Sequence, residues 1–168
     1  MKAEFALGTV EVAMTPMERF EDYLQSRGKR MTQQRRVIVE QVFSHHEHFD
    51  ADDLLKELGD GVGEAQNIGR ATVYRTLDQL TEAGLLRKMN LEGRSVYEHD
   101  YGYPAHDHLH CQRCNKLIEF SSEQFKELCD AVGREHGFRV TGLRLIVQGV
   151  CADCLAKQHR PTRPLDLV

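Results

Sequence analysis

Four stretches in the first half of the chain carry apolar residues three and four positions apart, which is the spacing of an amphipathic helix. In the fourth stretch, Val73, Leu77 and Leu80 share one face and leave polar side chains on the others. Thr32 and Asp50 are residue types that cap helix N-termini. The predicted helices therefore cover residues 17 to about 26, a stretch after Thr32, a stretch after Asp50, and residues 70 to about 83.

Two strand-like runs follow the fourth helix, and Glu92-Gly93 stands between them as a turn. They predict a β-hairpin of residues 85–91 and 94–98. Short helices followed by a hairpin are typical of a winged helix-turn-helix, in which the fourth helix would be the recognition helix. A small helical bundle with a terminal hairpin and no role at DNA explains the helical pattern equally well.

A second unit is predicted to begin at a hinge near residues 101–104, with strands at 108–111 and 116–120, a helix at 122–136 and a long strand at 138–150. A unit this small with so much apolar strand is expected to bury it against a second copy, so we expect a homodimer. The fold class predicted is α+β. An N-terminal winged helix-turn-helix domain spans residues 1–100, with 1–15 as a tail, and a small α/β dimerisation domain with an antiparallel sheet spans 101–168, with 160–168 as a loose tail.

Charge and composition limit the kinds of function that the chain can have. The net charge of −4 argues against indiscriminate nucleic-acid binding, but residues 27–36 hold five basic and no acidic side chains. The first residues lack the apolar core of a secretory signal, and no apolar stretch of the sequence approaches membrane-spanning length. We therefore expect a cytoplasmic protein with no membrane association, in which paired cysteines are metal ligands more often than disulfides.

Two Cys-x-x-Cys pairs stand in the second half of the chain, Cys111 with Cys114 and Cys151 with Cys154. Four thiolates in such pairs fit one closed tetrahedral zinc site, which has no open position for water and serves structure. The alternative is a redox pair, which normally lies at a helix N-terminus of a thioredoxin-like unit that this pattern lacks. Cys129 is the fifth cysteine, on the inner face of a predicted helix.

His106 and His108 directly precede the first cysteine pair and are separated by one residue. On a strand, this spacing puts both imidazoles on one face and Asp107 on the other. Glu119, on the neighbouring predicted strand, can reach the imidazole face. Mixed imidazole and carboxylate ligands suit iron(II) or manganese(II), and zinc also binds such sites. The alternative is a pair of ordinary solvated histidines.

With these motifs the chain resembles the ferric uptake regulator family of metal-responsive repressors, from about Met17 to Cys154. The resemblance implies a winged-helix DNA-binding domain, an α/β dimerisation domain, and A/T-rich inverted-repeat operators in double-stranded DNA. The matching strings are Arg30-Met31-Thr32 with Arg35 and Arg36, the run from Ala71 to Leu77, His106-Asp107-His108 before a Cys-x-x-Cys pair, Ile118-Glu119-Phe120, and the closing Cys-x-x-Cys pair.

The resemblance also implies a regulatory metal site made of His48, Glu98, His106, His108 and Glu119. Without it, His48 would be a solvated loop histidine and Glu98 an exposed carboxylate at a strand end. Ligands from both domains would be satisfied together in one interdomain geometry, which metal binding would select. The two glutamates favour an iron(II)-responsive repressor over zinc-, manganese- or peroxide-sensing relatives.

On the DNA side, the resemblance implies contacts from Arg30, Thr72, Tyr74 and Arg75. Tyr74 would meet thymine methyl groups in the major groove, and Arg75 a guanine edge or a phosphate. Arg30 would enter the narrow minor groove of A/T-rich DNA. Without the resemblance, each would equally be an exposed helix residue.

Several relatives carry an additional metal site, but Ala105, Lys126 and Leu143 occupy the matching positions here, so we predict that this site is missing. The Gly-rich loop at residues 59–63 and the N-terminal tail are also longer than usual. A metallohydrolase using the histidines is the alternative of another class, but the sequence indicates no general base or substrate pocket for it. A tetramer is the alternative to the dimer.

Overall fold

A computed structural model describes residues 2–5, 8–44, 48–59 and 68–158, with the backbone alone for residues 2–5, 8, 9 and 158. The chain divides into two compact units, Met1–Pro104 and Ala105–Val168. In the described residues, the first unit has four helices and two small sheets, and the second is a three-stranded sheet with two helices. The α+β fold class predicted from the sequence is confirmed.

The four helices predicted in the first unit are present, and both predicted caps are confirmed. The Thr32 hydroxyl accepts a hydrogen bond from the Arg35 N–H at 3.3 Å. Asp50 Oδ1 accepts from the N–H groups of Asp52 and Asp53 at 2.9 and 2.8 Å. The helices are α1 (Pro16–Ser26), α2 (Gln33–Val42), α3 (Ala51–Gly59) and α4 (Arg70–Glu82).

The apolar stripes of these helices form one core. Val73, Leu77 and Leu80 of α4 are fully buried, and Phe20 and Leu24 of α1 join them. Burial of a leucine-sized side chain contributes roughly 1.5–3 kcal/mol, so this core fixes the position of α4. Tyr74 and Arg75 consequently remain on the solvent side of the helix.

A three-stranded sheet follows α4 in the order β3 (Phe49–Asp50), β5 (Arg94–His99), β4 (Leu86–Leu91), and all its pairs are antiparallel. Glu92 and Gly93 turn the chain between β4 and β5 with φ of 51° and 85°. Positive φ at both central positions matches the right-handed twist of a two-residue hairpin. The predicted hairpin is confirmed, and its register places Arg87 opposite Glu98.

The tail predicted at residues 1–15 is wrong for much of its length. Strands β1 (Lys2–Phe5) and β2 (Gly8–Glu11) pair as an antiparallel hairpin. Polar and apolar residues do alternate along both strands, but each run has only four residues, and the sequence analysis missed the alternation. The chain then enters α1 through Thr15, whose side chain forms a reciprocal capping box with Glu18. The tail predicted at 160–168, and the Gly-rich loop beyond Gly59, lie outside the described residues.

The second unit contains the antiparallel pair β6 (Asp107–Cys111) and β7 (Leu117–Phe120), and β8 (Ile146–Gly149) joins β6 in parallel. Helix α5 (Glu123–Glu135) and the short helix α6 (Ala152–Gln158), which the sequence analysis missed, complete the unit. The long strand predicted at 138–150 is wrong, because only its last part pairs. The Leu145 N–H donates a hydrogen bond to the Asp107 side chain at 2.8 Å, just before the paired residues of β8.

The second unit exposes much of its apolar surface. On α5, Leu128 and Val132 are 59% and 47% exposed, and Phe138 just beyond the helix is 71% exposed. A soluble protein rarely leaves such side chains in water unless they form an interface. No helix in the described part of the chain is long and apolar enough to cross a membrane.

Candidate metal centres and nucleic-acid interface

The two cysteine pairs converge at one end of the second unit. Cys111 ends β6 and Cys114 lies in the following turn, while Cys151 and Cys154 lie at the start of α6. The four Sγ atoms lie within 4.8 Å of one another, and those of Cys114 and Cys151 are 3.7 Å apart. Zn–S bonds of 2.3 Å in a tetrahedron place sulfurs about 3.8 Å apart, so the quartet fits zinc.

The cysteines of the quartet differ in the pKa of their thiols. Hydrogen bonds from the backbone N–H groups of Cys151, Arg113 and Cys114 lower the pKa of the Cys111 thiol to about 6. Hydrogen bonds with the Cys114 and Cys151 sulfurs raise the pKa of Cys154 to about 12. Four thiolates therefore coexist here only with a cation that neutralises them, and metal binding releases protons.

One group of potential ligands lies in the first unit. His48 follows α2, and its Nε2 is 3.2 Å from Oε2 of Glu98 on β5. Arg87 on the adjacent strand donates from Nη1 to Oε1 of Glu98 at 2.9 Å. Glu98 is only 4% exposed, so its carboxylate depends on these partners. The exposed strand-end carboxylate expected from the residues alone is therefore wrong, and Arg87 is a neighbour that the sequence analysis missed.

A second group of potential ligands lies in the second unit. The rings of His106 and His108 meet edge to face at 4.8 Å, which confirms that both imidazoles share one side. His106 Nε2 is 3.8 Å from Oε1 of Glu119, and Glu119 stands opposite His108 across β6 and β7. Asp107 points the other way to the Leu145 N–H. Both histidines are buried, unlike ordinary solvated residues, and the donor set suits a divalent first-row metal.

The DNA-contacting residues expected from the sequence are accessible. Tyr74 and Arg75 are exposed on α4, Thr72 is half-buried on the same helix, and Arg30 is exposed before α2. The Arg75 side chain also lines an open depression with Lys29 and Arg35, and the carboxylates of Asp78 and Glu82 line it as well. Lys29, Arg35 and Arg75 thus come together beside α4, and cationic side chains of this kind can contact the phosphate backbone of DNA.

Comparison with known proteins identifies the chain. The sequence pattern of the ferric uptake regulator family matches residues 26–148. The chain belongs to the ferric uptake regulator family. A ferric uptake regulation protein of Neisseria gonorrhoeae is 37% identical over 149 residues, which cover 86% of this chain and the whole of that protein. Members of the family are metal-responsive, DNA-binding transcription regulators that form dimers, and they are not enzymes.

Two solved structures of ferric uptake regulators share the fold. The Francisella tularensis protein, solved with iron, is 29% identical with a TM-score of 0.67, over 76% of this chain and 96% of that one. The Pseudomonas aeruginosa protein, solved with manganese, is 30% identical with a TM-score of 0.63, over 78% of this chain and 96% of that one. Regulators similar to this chain have therefore been solved with two different metals, iron and manganese.

Ala105, Lys126 and Leu143, at which the sequence analysis predicts that an additional metal site is missing, line a cavity in the second unit. Ala105, Lys126 and Leu143 surround a volume of about 260 Å³ together with Asp107 and Cys129. Among the described residues of this cavity, no three potential metal ligands converge within 4.8 Å. The Lys126 ammonium group also brings a positive charge, which disfavours a bound cation. Cys129 is half-buried on α5, away from the cysteine quartet.

Proposed function

We propose that this chain is an iron(II)-responsive transcriptional repressor that binds A/T-rich inverted-repeat operators as a homodimer in the cytoplasm and controls metal-uptake genes. The observation that carries the proposal is the matched chemistry of the two ligand groups. In the first unit, His48 and Glu98 offer one imidazole and one carboxylate. In the second unit, His106, His108 and Glu119 offer two imidazoles and one carboxylate. Each group alone is too small to complete a five- or six-coordinate site.

In the proposed mechanism, the five residues act together as one regulatory site. A divalent ion bound by both ligand groups would neutralise their carboxylates and form coordinate bonds to all five side chains. The two units then adopt one arrangement in preference to others, and the exposed sides of α4 in the two protomers reach adjacent major grooves. A change from mostly open to mostly closed requires about 5 kcal/mol of differential metal affinity.

The remaining proposed site residues have separate roles. Cys111, Cys114, Cys151 and Cys154 hold a structural zinc ion that stabilises the dimerisation unit. Arg75 and Tyr74 read the major groove, Thr72 supports them on the same helix, and Arg30 enters the minor groove. The accessible cations beside α4 and the uncovered apolar surface of the second unit support DNA binding and dimer formation respectively. A tetramer is the alternative assembly.

Iron(II) is favoured because both carboxylate ligands are glutamates and the Francisella relative is solved with iron. Manganese, zinc and peroxide sensing are the alternatives within the family. The test is an anaerobic titration of an A/T-rich inverted-repeat duplex with each metal in turn, on protein whose cysteine quartet is already zinc-loaded. Iron(II) is expected to raise DNA affinity at free concentrations where manganese(II) does not. A response confined to zinc or manganese would overturn the iron assignment, and metal-independent binding would refute the regulatory function.

A further inference from the structure

Arg87 bridges a proposed metal ligand and the residue that follows the β4–β5 hairpin, which we call the wing. Its Nη1 donates to Oε1 of Glu98 at 2.9 Å, and its Nη2 donates to Oδ1 of Asp100. The Arg87 and Glu98 side chains are 16% and 4% exposed, so their ion pair is largely shielded from water, while the Asp100 side chain is 32% exposed. We infer that Arg87 is a positioning residue of the regulatory metal site, which fixes the Glu98 carboxylate and couples it to the segment that leads out of the first unit.

The sheet register brings these three side chains together. Arg87 on β4 stands directly opposite Glu98 on β5. Asp100 follows two residues after Glu98, and side chains two apart along an extended chain point to the same side. The planar guanidinium fork can hold both carboxylates at once, whereas the single ammonium group of a lysine is a point charge. An arginine is therefore required for a rigid bridge at this position.

The bridge defines how Glu98 meets a metal ion. Oε1 is engaged by Arg87, while Oε2 lies 3.2 Å from Nε2 of His48, the other proposed ligand of this unit. A carboxylate anchored through one oxygen coordinates through the other, so Glu98 is held for monodentate binding beside His48. Hydrogen-bonded partners of this kind orient metal ligands and commonly change metal affinity by about 10–100-fold.

The other arm of the bridge reaches a well-anchored segment. The Asp100 and Tyr101 N–H groups both donate to the Leu85 carbonyl oxygen just after α4, at 3.0 and 3.3 Å. The Tyr101 hydroxyl donates to the Met14 carbonyl oxygen at 3.1 Å, and the Arg19 guanidinium lies 4.5 Å from the centre of its ring. Arg87 therefore connects Glu98 to the residues just after α4 and to the residues that precede the second unit.

This inference rests on the proposed function, because it assumes that Glu98 is a metal ligand. The test uses the full chain with zinc in the cysteine quartet and measures anaerobic Mn²⁺ affinity together with the visible absorption of bound Co²⁺, which reports coordination number. The variants are Arg87→Gln, Arg87→Lys and Asp100→Ala, with Glu98→Ala as the reference for ligand loss. Arg94→Gln is the matched control, because Arg94 also lies on the wing and pairs with Asp50 instead of Glu98.

Arg87→Gln is expected to weaken Mn²⁺ binding by about 10–100-fold and to alter the Co²⁺ spectrum, because Glu98 is free to use both oxygens. Arg87→Lys should restore only part of the affinity, and Asp100→Ala should have a smaller effect that is not additive with Arg87→Gln. Arg94→Gln should match the wild type in both measurements.

Two results would overturn the inference, and they differ in what they say about the proposed function. In the first result, Arg87→Gln keeps the wild-type Mn²⁺ affinity and Co²⁺ spectrum while Glu98→Ala loses binding. Arg87 would then have no role in positioning Glu98, and the proposed function would stand. Unchanged binding in Glu98→Ala would remove Glu98 from the site and the inference with it. If Arg87→Gln fails to fold, the Arg87→Lys and Asp100→Ala variants decide between these outcomes by the same two measurements.

Discussion

Asp50 shows how a single side chain joins two elements of the first unit. One carboxylate oxygen caps α3 through the N–H groups of Asp52 and Asp53, and the other pairs with Arg94 on β5. Burial raises the pKa of Asp50, but the hydrogen bonds from Arg94 and from the backbone outweigh it, so the pKa lies below its ordinary value. Asp50 therefore stabilises the fold in its ionised form.

Asp50→Ala is expected to lower the free energy of unfolding at neutral pH by about 1–2 kcal/mol, the usual effect of losing a helix cap. Because folding lowers the pKa of Asp50, its contribution is present above the unfolded pKa and is lost as the pH falls below about 4. Urea unfolding followed by helical circular dichroism at pH 7 and at acidic pH measures both effects. Asp22→Ala, which changes an exposed residue of α1, is the control. A difference in unfolding free energy between wild type and Asp50→Ala that does not change with pH would contradict the account.

At the scale of elements, the cysteine quartet brings together residues from the end of β6 and the start of α6. Cys111→Ser is expected to abolish zinc binding at the quartet and to lower the thermal stability of the second unit, because the ion links two segments far apart in the chain. Cys129→Ser is the matched control, since Cys129 lies outside the quartet. Zinc analysis combined with thermal unfolding makes the comparison. A Cys111→Ser protein that has lost its zinc and retains full stability would show that the site is dispensable for folding.

Helix α5 carries the surface that we assign to the dimer. Leu128→Glu places a charge among exposed apolar side chains and is expected to convert the dimer to a monomer, because a carboxylate buried in an apolar interface is strongly unfavourable. Arg134→Glu places the same side chain at an exposed polar position of the same helix and should leave the dimer intact. Sedimentation or light scattering gives the mass of each. A dimeric Leu128→Glu protein would place the interface elsewhere.

The elements differ in how far the sequence predicts them. Helices α1 to α5 and the β4–β5 hairpin were predictable because a repeated apolar face or a two-residue turn marks each of them. Strands β1 and β2 were missed in the sequence analysis, because the alternation of polar and apolar residues along each covers only four residues. The strand predicted at 138–150 is paired only at β8, and just before β8 the Leu145 N–H donates to the Asp107 side chain instead of to a neighbouring strand. The local sequence pattern does not show which distant acceptor a backbone N–H group will bind.

At the scale of the whole molecule, the proposed switch depends on two ligand groups that the chain places in separate units. The spacing of His106 and His108 made that pair predictable from local geometry. His48 and Glu98 were indicated only by the resemblance to the family, because neither carries a local signal. The Arg87 bridge was not predicted, since it depends on the β4–β5 register. A ligand set assembled from two units is a property of the tertiary structure, and only its strand-borne part is visible in the sequence.

The central claim is that ligands from both units are needed before a metal ion promotes DNA binding. The most direct test is an anaerobic fluorescence anisotropy titration of an A/T-rich inverted-repeat duplex, with and without iron(II), on His48→Ala, His106→Ala with His108→Ala, and His136→Ala as the exposed control. Wild type and His136→Ala should gain operator affinity by about 5–150-fold with iron(II), the range of a typical coupling energy. Both other variants should remain dimeric with their zinc and lose that gain. A full iron(II) response in either one, or an unfolded protein after the double substitution, would contradict the account.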